Sequence, residues 1–420
     1  MSVRRRSVSR SVATPLRAQE IRKVNERIVL QLLHDFGPLS QSDIASRTGL
    51  QPSTVFRIFL DLAERAVVRE VEELEPDEGR KGRRPSYYSL NPTCAYAAGV
   101  ELSPGSLALL LVNFVGEPVA ERIIEFSHEL DAEGVIDCIV GAIDALLHSS
   151  GVNRADLLGV GIGAPGVVDI ESGAVTSYAR FPGMVGLPLR RIVSRELDTP
   201  VFVHNNASVI AASEYRYGRA KGYQSLAAFL IRSGVGGAYI NNADIFVSQQ
   251  TTAFEVGHLM LDTGPAALGR SANAETLEDY LCESAILRRV QAADAKIQTL
   301  PAVIEAIQER RPAVCEALDV IAGVLYGVVF NLSLLLNPEV FLIITRYASL
   351  SQFLAESVAR RLPSSGESQR FRVGAVLPLE YDPMIACRGA AEIVFDAHLR
   401  PQTAPLTLRP SPVQKGDARL

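Results

Sequence analysis

Cationic and hydroxyl side chains gather at two places near the start of the chain. Ser53, Thr54, Phe56 and Arg57 crowd the first turns of one helical stretch, and Arg83 and Arg84 close a Gly-rich run, Gly79-Arg80-Lys81-Gly82-Arg83-Arg84-Pro85. These residue types read DNA. A guanidinium bonds guanine or phosphate, hydroxyls bond phosphate or base edges, and a phenyl ring lies against a thymine methyl. A basic, Gly-rich tip reaches the backbone or an A·T minor groove. Two further Gly-rich stretches carry weaker chemistry. Gly161-Ile162-Gly163-Ala164-Pro165-Gly166 superficially resembles a dinucleotide fingerprint, but Pro165 stands where the helix would begin and the stretch lies deep in the chain. Gly234 to Gly237 either cradles a phosphate or joins two strands of a hairpin. The five cysteines, Cys94, Cys138, Cys282, Cys315 and Cys387, form no CxxC pair, which suits a reduced compartment without a disulfide framework.

The first group needs a particular scaffold. Ile21, Val24, Ile28, Leu32 and Leu33 recur at helical spacing, so residues 18–36 are predicted as an amphipathic helix ended by Gly37-Pro38. Ser40 opens a short helix with Asp43 as capping-box partner, and Thr48-Gly49-Leu50 turns the chain. A third helix starts at Pro52 with Val55, Ile58, Phe59 and Leu62 as its inward stripe. This is a helix-turn-helix whose third helix enters the major groove; the alternative is an ordinary three-helix bundle with Phe56 facing the core. A hairpin follows, with Val67, Val68 and Val71 in one strand and Tyr87, Tyr88 and Leu90 in the other, and the basic run forms its wing. The acidic residues Glu72 to Glu78 should point away from DNA.

Beyond residue 93, apolar strands alternate with helical patterns, the mark of an α/β body. Strands are expected at Ala97–Leu102, Leu107–Phe114, Leu157–Ile162, Val201–Val203 and Leu226–Ile231, and helices at 133–149, 208–217, 276–293, 299–310, 313–334, 349–361 and 383–398. Charge divides the same way: residues 1–60 carry a balance of +6 and residues 91–420 one of −9, a basic head on an acidic body. Hydrophobic residues make up 47% of the 420, enough for a sizeable core. Leu107–Val115 and Val320–Leu336 are too short or too interrupted to span a membrane. Residues 1–17, with Arg4, Arg5, Arg6, Arg10 and Arg17, have a composition shared with transit peptides. They are taken as a disordered basic arm, and residues 401–420 as a disordered tail.

The order of these pieces resembles the regulator branch of the ROK family (repressors, open reading frames and kinases) over roughly residues 20–400. The resemblance rests on the helix-turn-helix, Gly82-Arg83-Arg84-Pro85, Gly161 to Gly166, Asn205, Gly234 to Gly237, Glu255-Val256-Gly257-His258, Leu277-Glu278 and Gly389-Ala390-Ala391. It implies a winged helix-turn-helix over 18–90, then a two-lobed, actin-like sugar-kinase fold over 93–400 whose cleft binds sugar and, in kinases, ATP. The kinases' Asp-x-Gly-Gly-Thr reads Glu101-Leu102-Ser103-Pro104-Gly105 here, and Pro104 removes a donor from a phosphate cradle. The catalytic Asp of an Asn-Asp pair is Asn206 here, and an amide cannot act as general base. The Gly-Gly approaching the adenosine is replaced near Thr345-Arg346. Of the family's zinc ligands only His258 remains, with Gly269, Ser271 and Thr276 at the cysteine positions. Asn205, Glu255, His258 and Glu278 match positions that bond sugar hydroxyls, and Asn206 retains both donor and acceptor. The plainer alternatives are an inert His258, a satisfied buried Glu255 and a helix-face Glu278.

The expectation is therefore a cytoplasmic regulator of carbohydrate genes without catalytic residues, metal or cofactor. It would bind double-stranded operator DNA as a homodimer or homotetramer, away from any membrane, with a sugar or sugar phosphate as effector. The rivals are an active sugar kinase with a DNA-binding head and a ligand-independent DNA-binding protein with a vestigial body.

Overall fold

The computed structural model describes residues 18–71, 86–126, 131–177, 184–247, 254–261, 275–362 and 374–400. Two compact units divide the chain: residues 1–90 together with 398–420, and residues 91–397. The expected arm, tail, Glu72–Glu78 segment and wing tip fall outside the described residues.

In the first unit α1 (Ala18–Phe36) leads to β1 (Leu39–Ser40), α2 (Gln41–Thr48), α3 (Pro52–Glu64), β2 (Val68–Val71) and β3 (Tyr87–Leu90). Ser40 caps α2 with the full capping box to Asp43, and Gly49 closes it in the left-handed conformation at φ 69°. Val55, Ile58, Phe59 and Leu62 of α3 are buried, and Phe59 packs on Tyr88 with ring centroids 4.7 Å apart. Each such side chain contributes about 1.5–3 kcal/mol through burial. Val67 precedes the strand rather than joining it, because its N–H turns back to the Leu62 carbonyl. The two residues of β1 pair with β3 and make the sheet three-stranded, in the order β1-β3-β2.

The body is built twice from one plan. Its first half runs β4 (Tyr96–Ser103), β5 (Ser106–Asn113), β6 (Pro118–Glu125), α4 (Ala132–Ser150), β7 (Leu157–Ala164), the small hairpin β8 (Val167–Asp169) and β9 (Ala174–Ser177), α5 (Leu189–Leu197), β10 (Val201–Asn205) and α6 (Asn206–Arg216). Its second half runs β11 (Ser225–Ile231), β12 (Val235–Asn241), β13 (Asp244–Ile245), α7 (Leu277–Leu281), α8 (Glu283–Ala293), α9 (Leu300–Gln308), α10 (Pro312–Leu335), β14 (Val340–Thr345), α11 (Ala348–Arg361), β15 (Ala375–Glu380) and α12 (Pro383–Leu399). The sheets are ordered β10-β7-β4-β5-β6 and β13-β12-β11-β14-β15. In each, three strands form an antiparallel meander, and the fourth and fifth add in parallel beyond the first.

The last helix of each half forms the layer between the sheets. Residues of α6 and α12 share one apolar cluster with Leu226, Ala228, Leu230, Val340, Leu342 and Ile344 of the second sheet, and Phe202 of the first packs against it. The approach is at backbone distance. A Cβ on Gly161 would lie 1.8 Å from the Ala390 carbonyl oxygen, and one on Gly389 would lie 1.7 Å from that of Val209. Gly161 and Gly163 therefore lie inside β7 rather than in a phosphate turn, and Gly234 lies in the hairpin between β11 and β12.

The expected helix over 276–293 breaks at Cys282, whose extended backbone (φ −64°, ψ 153°) separates α7 from α8. The Glu283 N–H is drawn to the Arg232 carbonyl, a distant contact that local sequence does not announce. α10 begins at Pro312, so its apolar run is longer than Val320–Leu336. By length and composition it could cross a membrane. Here it buries Val314, Leu318, Ile321, Leu325 and Val329 in the second lobe's core.

Candidate functional site

In the first unit, α3 carries its polar residues at its N-terminal end. Ser53 and Arg57 are exposed, Thr54 is half-buried and Phe56 is 54% exposed, so Phe56 does not face the core. Arg83 and Arg84 lie outside the described residues. The sequence reading passed over Gln51, the residue just before α3. It is exposed and its amide makes no capping bond, so the amide is available at the helix tip. A long polar side chain one position ahead of Pro52 was the available signal.

In the body, one cleft of about 270 Å³ is lined by all five expected ligand residues, Asn205, Asn206, Glu255, His258 and Glu278. Asn205 ends β10 and caps α6, its Oδ1 accepting the Ser208 N–H at 2.8 Å. Asn206 donates from Nδ2 to the Leu102 carbonyl at 3.1 Å, while its Oδ1 is buried without a partner. Glu278, near the start of α7, accepts the Val235 N–H at 3.0 Å.

Glu255 and His258 flank a single helical turn, Val256–His258. A Cβ on Gly257 would meet the Val235 carbonyl oxygen at 2.2 Å, so only glycine lets this turn lie against β12. Phe254 holds a left-handed backbone at φ 79°, and its ring stacks on Tyr239 at 6.0 Å, which fixes the direction in which Glu255 leaves the chain. Both Glu255 and His258 open to solvent across the cleft. Neighbouring protein still removes enough water to raise the Glu255 carboxyl above its ordinary value, and His258 partly offsets this.

The wall beside Asn206 holds a network that the sequence reading missed. Glu101 is 1% exposed and accepts from Ser103 Oγ at 2.7 Å, from Tyr381 Oη at 2.7 Å and from Arg232 at 3.2 Å. Arg232 lies over the Tyr381 ring, 4.0 Å from its centroid. Burial and the Glu101 charge push the Tyr381 phenol far above its usual range, so it stays a donor. The hint in sequence was an arginine directly after the apolar run Leu226–Ile231.

A nucleoside triphosphate does not fit this wall. The β4–β5 turn offers proline at position 104, and the one carboxylate at its base is spent on Arg232. The described residues do not fit zinc either. Among the described residues no group of three His, Cys, Asp or Glu could hold a metal, and Thr276 is engaged in capping α7 with Asp279. Gly269 and Ser271 lie outside the described residues. Thr345 is buried against Ser351, and Arg346 pairs with Glu283 at 2.9 Å.

Residues 98–396 match the model of the ROK family. This chain belongs to the ROK family. Among ROK relatives it is similar to a putative xylose repressor of Caldicellulosiruptor sp. (strain Rt8B.4), 22% identical over 355 residues that make up 81% of this chain and 87% of the other. It is also similar to the DNA-binding transcriptional repressor Mlc of Escherichia coli (strain K12), at 24% over 342 residues, 78% and 82% of the two chains. In structure it resembles a ROK family transcriptional regulator described as a homologue of the E. coli protein MLC, with a TM-score of 0.73 at 20% identity, covering 90% of this chain and 98% of that one. A ROK family glucokinase from Streptomyces griseus, solved with glucose and AMPPNP, matches with a TM-score of 0.58 at 21% identity, covering 71% and 99%. The fold is thus the sugar-kinase-like ROK body preceded by a winged helix-turn-helix.

Proposed function

We propose that this ROK protein is a sequence-specific DNA-binding repressor of carbohydrate genes, acting in the cytoplasm, in which a sugar held in the body's cleft sets the affinity of the head for its operator. One observation carries the reading: the likeness to regulators extends through the head. The regulator structure spans 90% of the chain, whereas the glucokinase spans 71%, close to the share that the body supplies. Ser53, Thr54, Phe56 and Arg57 on α3, with Arg83 and Arg84, then contact DNA. Asn205, Asn206, Glu255, His258 and Glu278 contact the effector.

On this reading the body transfers no phosphoryl group. The Asn206 amide takes no proton from a hydroxyl, and Glu101 is committed to Arg232. The protein works as a homodimer, or as a pair of dimers, on a palindromic operator whose half-sites lie about 34–36 Å apart. A ligand that binds one arrangement of the lobes better than another shifts the population of the DNA-binding form.

The test is binding of the full chain to genomic fragments from around its own gene, at fixed moderate salt, with and without a panel of sugars. Specific binding relieved by one sugar is the expected result. Binding that falls only as salt rises, with no preferred fragment, would overturn it.

A further inference from the structure

A second pocket, of about 240 Å³, lies between the end of α6, the start of α12 and the neighbouring parts of β5 and β6. It is separate from the cleft described above. α6 begins in that cleft at Asn205 and Asn206, and its 11 residues carry the chain about 16 Å, at about 1.5 Å per residue, to Arg216.

Two side chains of α6 line this second pocket while almost wholly buried. Glu214 is 4% exposed and Ser213 is 3% exposed. Glu214 Oε2 accepts the Arg219 N–H at 2.8 Å. Among the described residues nothing bonds its Oε1, and nothing bonds the Ser213 hydroxyl. Burial raises the Glu214 carboxyl above its ordinary value, and the backbone bond and the charge of Arg219 offset part of this. A buried carboxylate with one open oxygen is costly, and a donor entering from the pocket would relieve it.

The surroundings favour a positive charge. Glu121 of β6 and Asp382, just ahead of α12, are exposed in the lining. The pocket also sits at the C-terminal end of α6, the negative end of the helix dipole. Arg388 lines it too, but its guanidinium donates to the Gly116 carbonyl at 2.9 Å and lies over the Tyr217 ring, 3.8 Å from the centroid. The ring face that would receive a quaternary ammonium is therefore occupied. Among the described residues no group of three His, Cys, Asp or Glu could hold a metal ion, so a bare divalent cation does not fit. A primary ammonium brings three N–H donors. Glu214 Oε1, the Ser213 hydroxyl and the carboxylates of Glu121 and Asp382 are the acceptors on offer.

We infer that this pocket binds the primary ammonium group of a small amine, with Glu214 as its counter-ion.

The experiment is calorimetric titration of the full chain, at fixed ionic strength, with ethanolamine, with choline, which keeps the charge but has no N–H, and with ethylene glycol, which has neither. Ethanolamine should bind saturably and at least tenfold more tightly than choline or ethylene glycol. Glu214→Gln keeps the size of the side chain and an oxygen for the Arg219 N–H, and should weaken ethanolamine by tenfold or more. Glu255→Gln, in the other cleft, should leave ethanolamine affinity as it is. Ser213→Ala removes one acceptor at a position where alanine suits the helix, and should weaken ethanolamine threefold or more. Absence of saturable ethanolamine binding overturns the inference, as does choline binding equally well. Unchanged affinity in folded Glu214→Gln, or a loss in Glu255→Gln instead, also overturns it. If Glu214→Gln does not fold, unchanged affinity in Ser213→Ala does the same.

Discussion

Arg57 and Gln51 stand at the exposed tip of α3, and among the described residues no side-chain bond occupies them in the way Asp61 occupies Arg65 at 2.9 Å. Arg57→Ala should therefore weaken operator binding by about 1–3 kcal/mol and relax the preference for one base, leaving thermal stability unchanged. Anisotropy titrations against the operator and single-base variants would measure this. An equal loss on all sequences would make Arg57 a phosphate contact. In the body, His204 is half-buried beside Asn205 with its Nδ1 enclosed and unpartnered, and loss of water lowers its pKa from 6.5 to about 4. Because the folded value is depressed, its contribution to stability is fully present above pH 6.5. It is lost as pH falls from there toward 4, where the unfolded chain binds a proton that the folded one refuses. The loss should approach about 3 kcal/mol at 1.36 kcal/mol per unit. His204→Phe should flatten this part of the pH profile in urea unfolding. Identical slopes in the two proteins would remove His204 from the account.

At the scale of elements, glycine has opposite consequences in a strand and in a helix. Gly161 sits in β7 where α12 passes at backbone distance, and the atom met by an added Cβ is a carbonyl oxygen that no rotamer change can move. Gly161→Ala should cost more than about 3 kcal/mol, or prevent folding, because α12 must shift off the sheet. Gly327 lies inside α10 with nothing within 4 Å of its added Cβ. Gly327→Ala should stabilise by about 0.5–1 kcal/mol through the unfolded chain's lost freedom. Denaturation midpoints of the two variants should move in opposite directions. These elements were unequally legible. Both ends of α1 and the starts of α2 and α3 were readable because caps and a 3.6-residue stripe are local signals. The strands β14 and β15 and the helix α5 were not anticipated, and the break at Cys282 has no Pro or Gly to mark it. It depends on a bond to Arg232, 51 positions away by residue number.

For the whole molecule, the proposed coupling between cleft and head makes a thermodynamic demand. If a sugar lowers operator affinity by some factor, saturating operator must lower sugar affinity by the same factor. Titrating sugar into protein and into the protein–DNA complex tests this without a variant. Unequal factors would mean that the sugar acts by some route other than a shared equilibrium. The sequence by itself determined the basic helix-turn-helix and the α/β alternation, because composition and periodicity are written along the chain, whereas the five cleft residues were named only through the resemblance to the ROK family. The tertiary structure alone decided that those five residues, from residue 205 to residue 278, share one cavity. It alone decided that Gly161 serves helix packing rather than phosphate, and that Glu101 is bound to Arg232 and Tyr381. Such partners are separated by 131 and 280 positions. A one-dimensional pattern carries no term for what burial and sheet topology bring together at that separation.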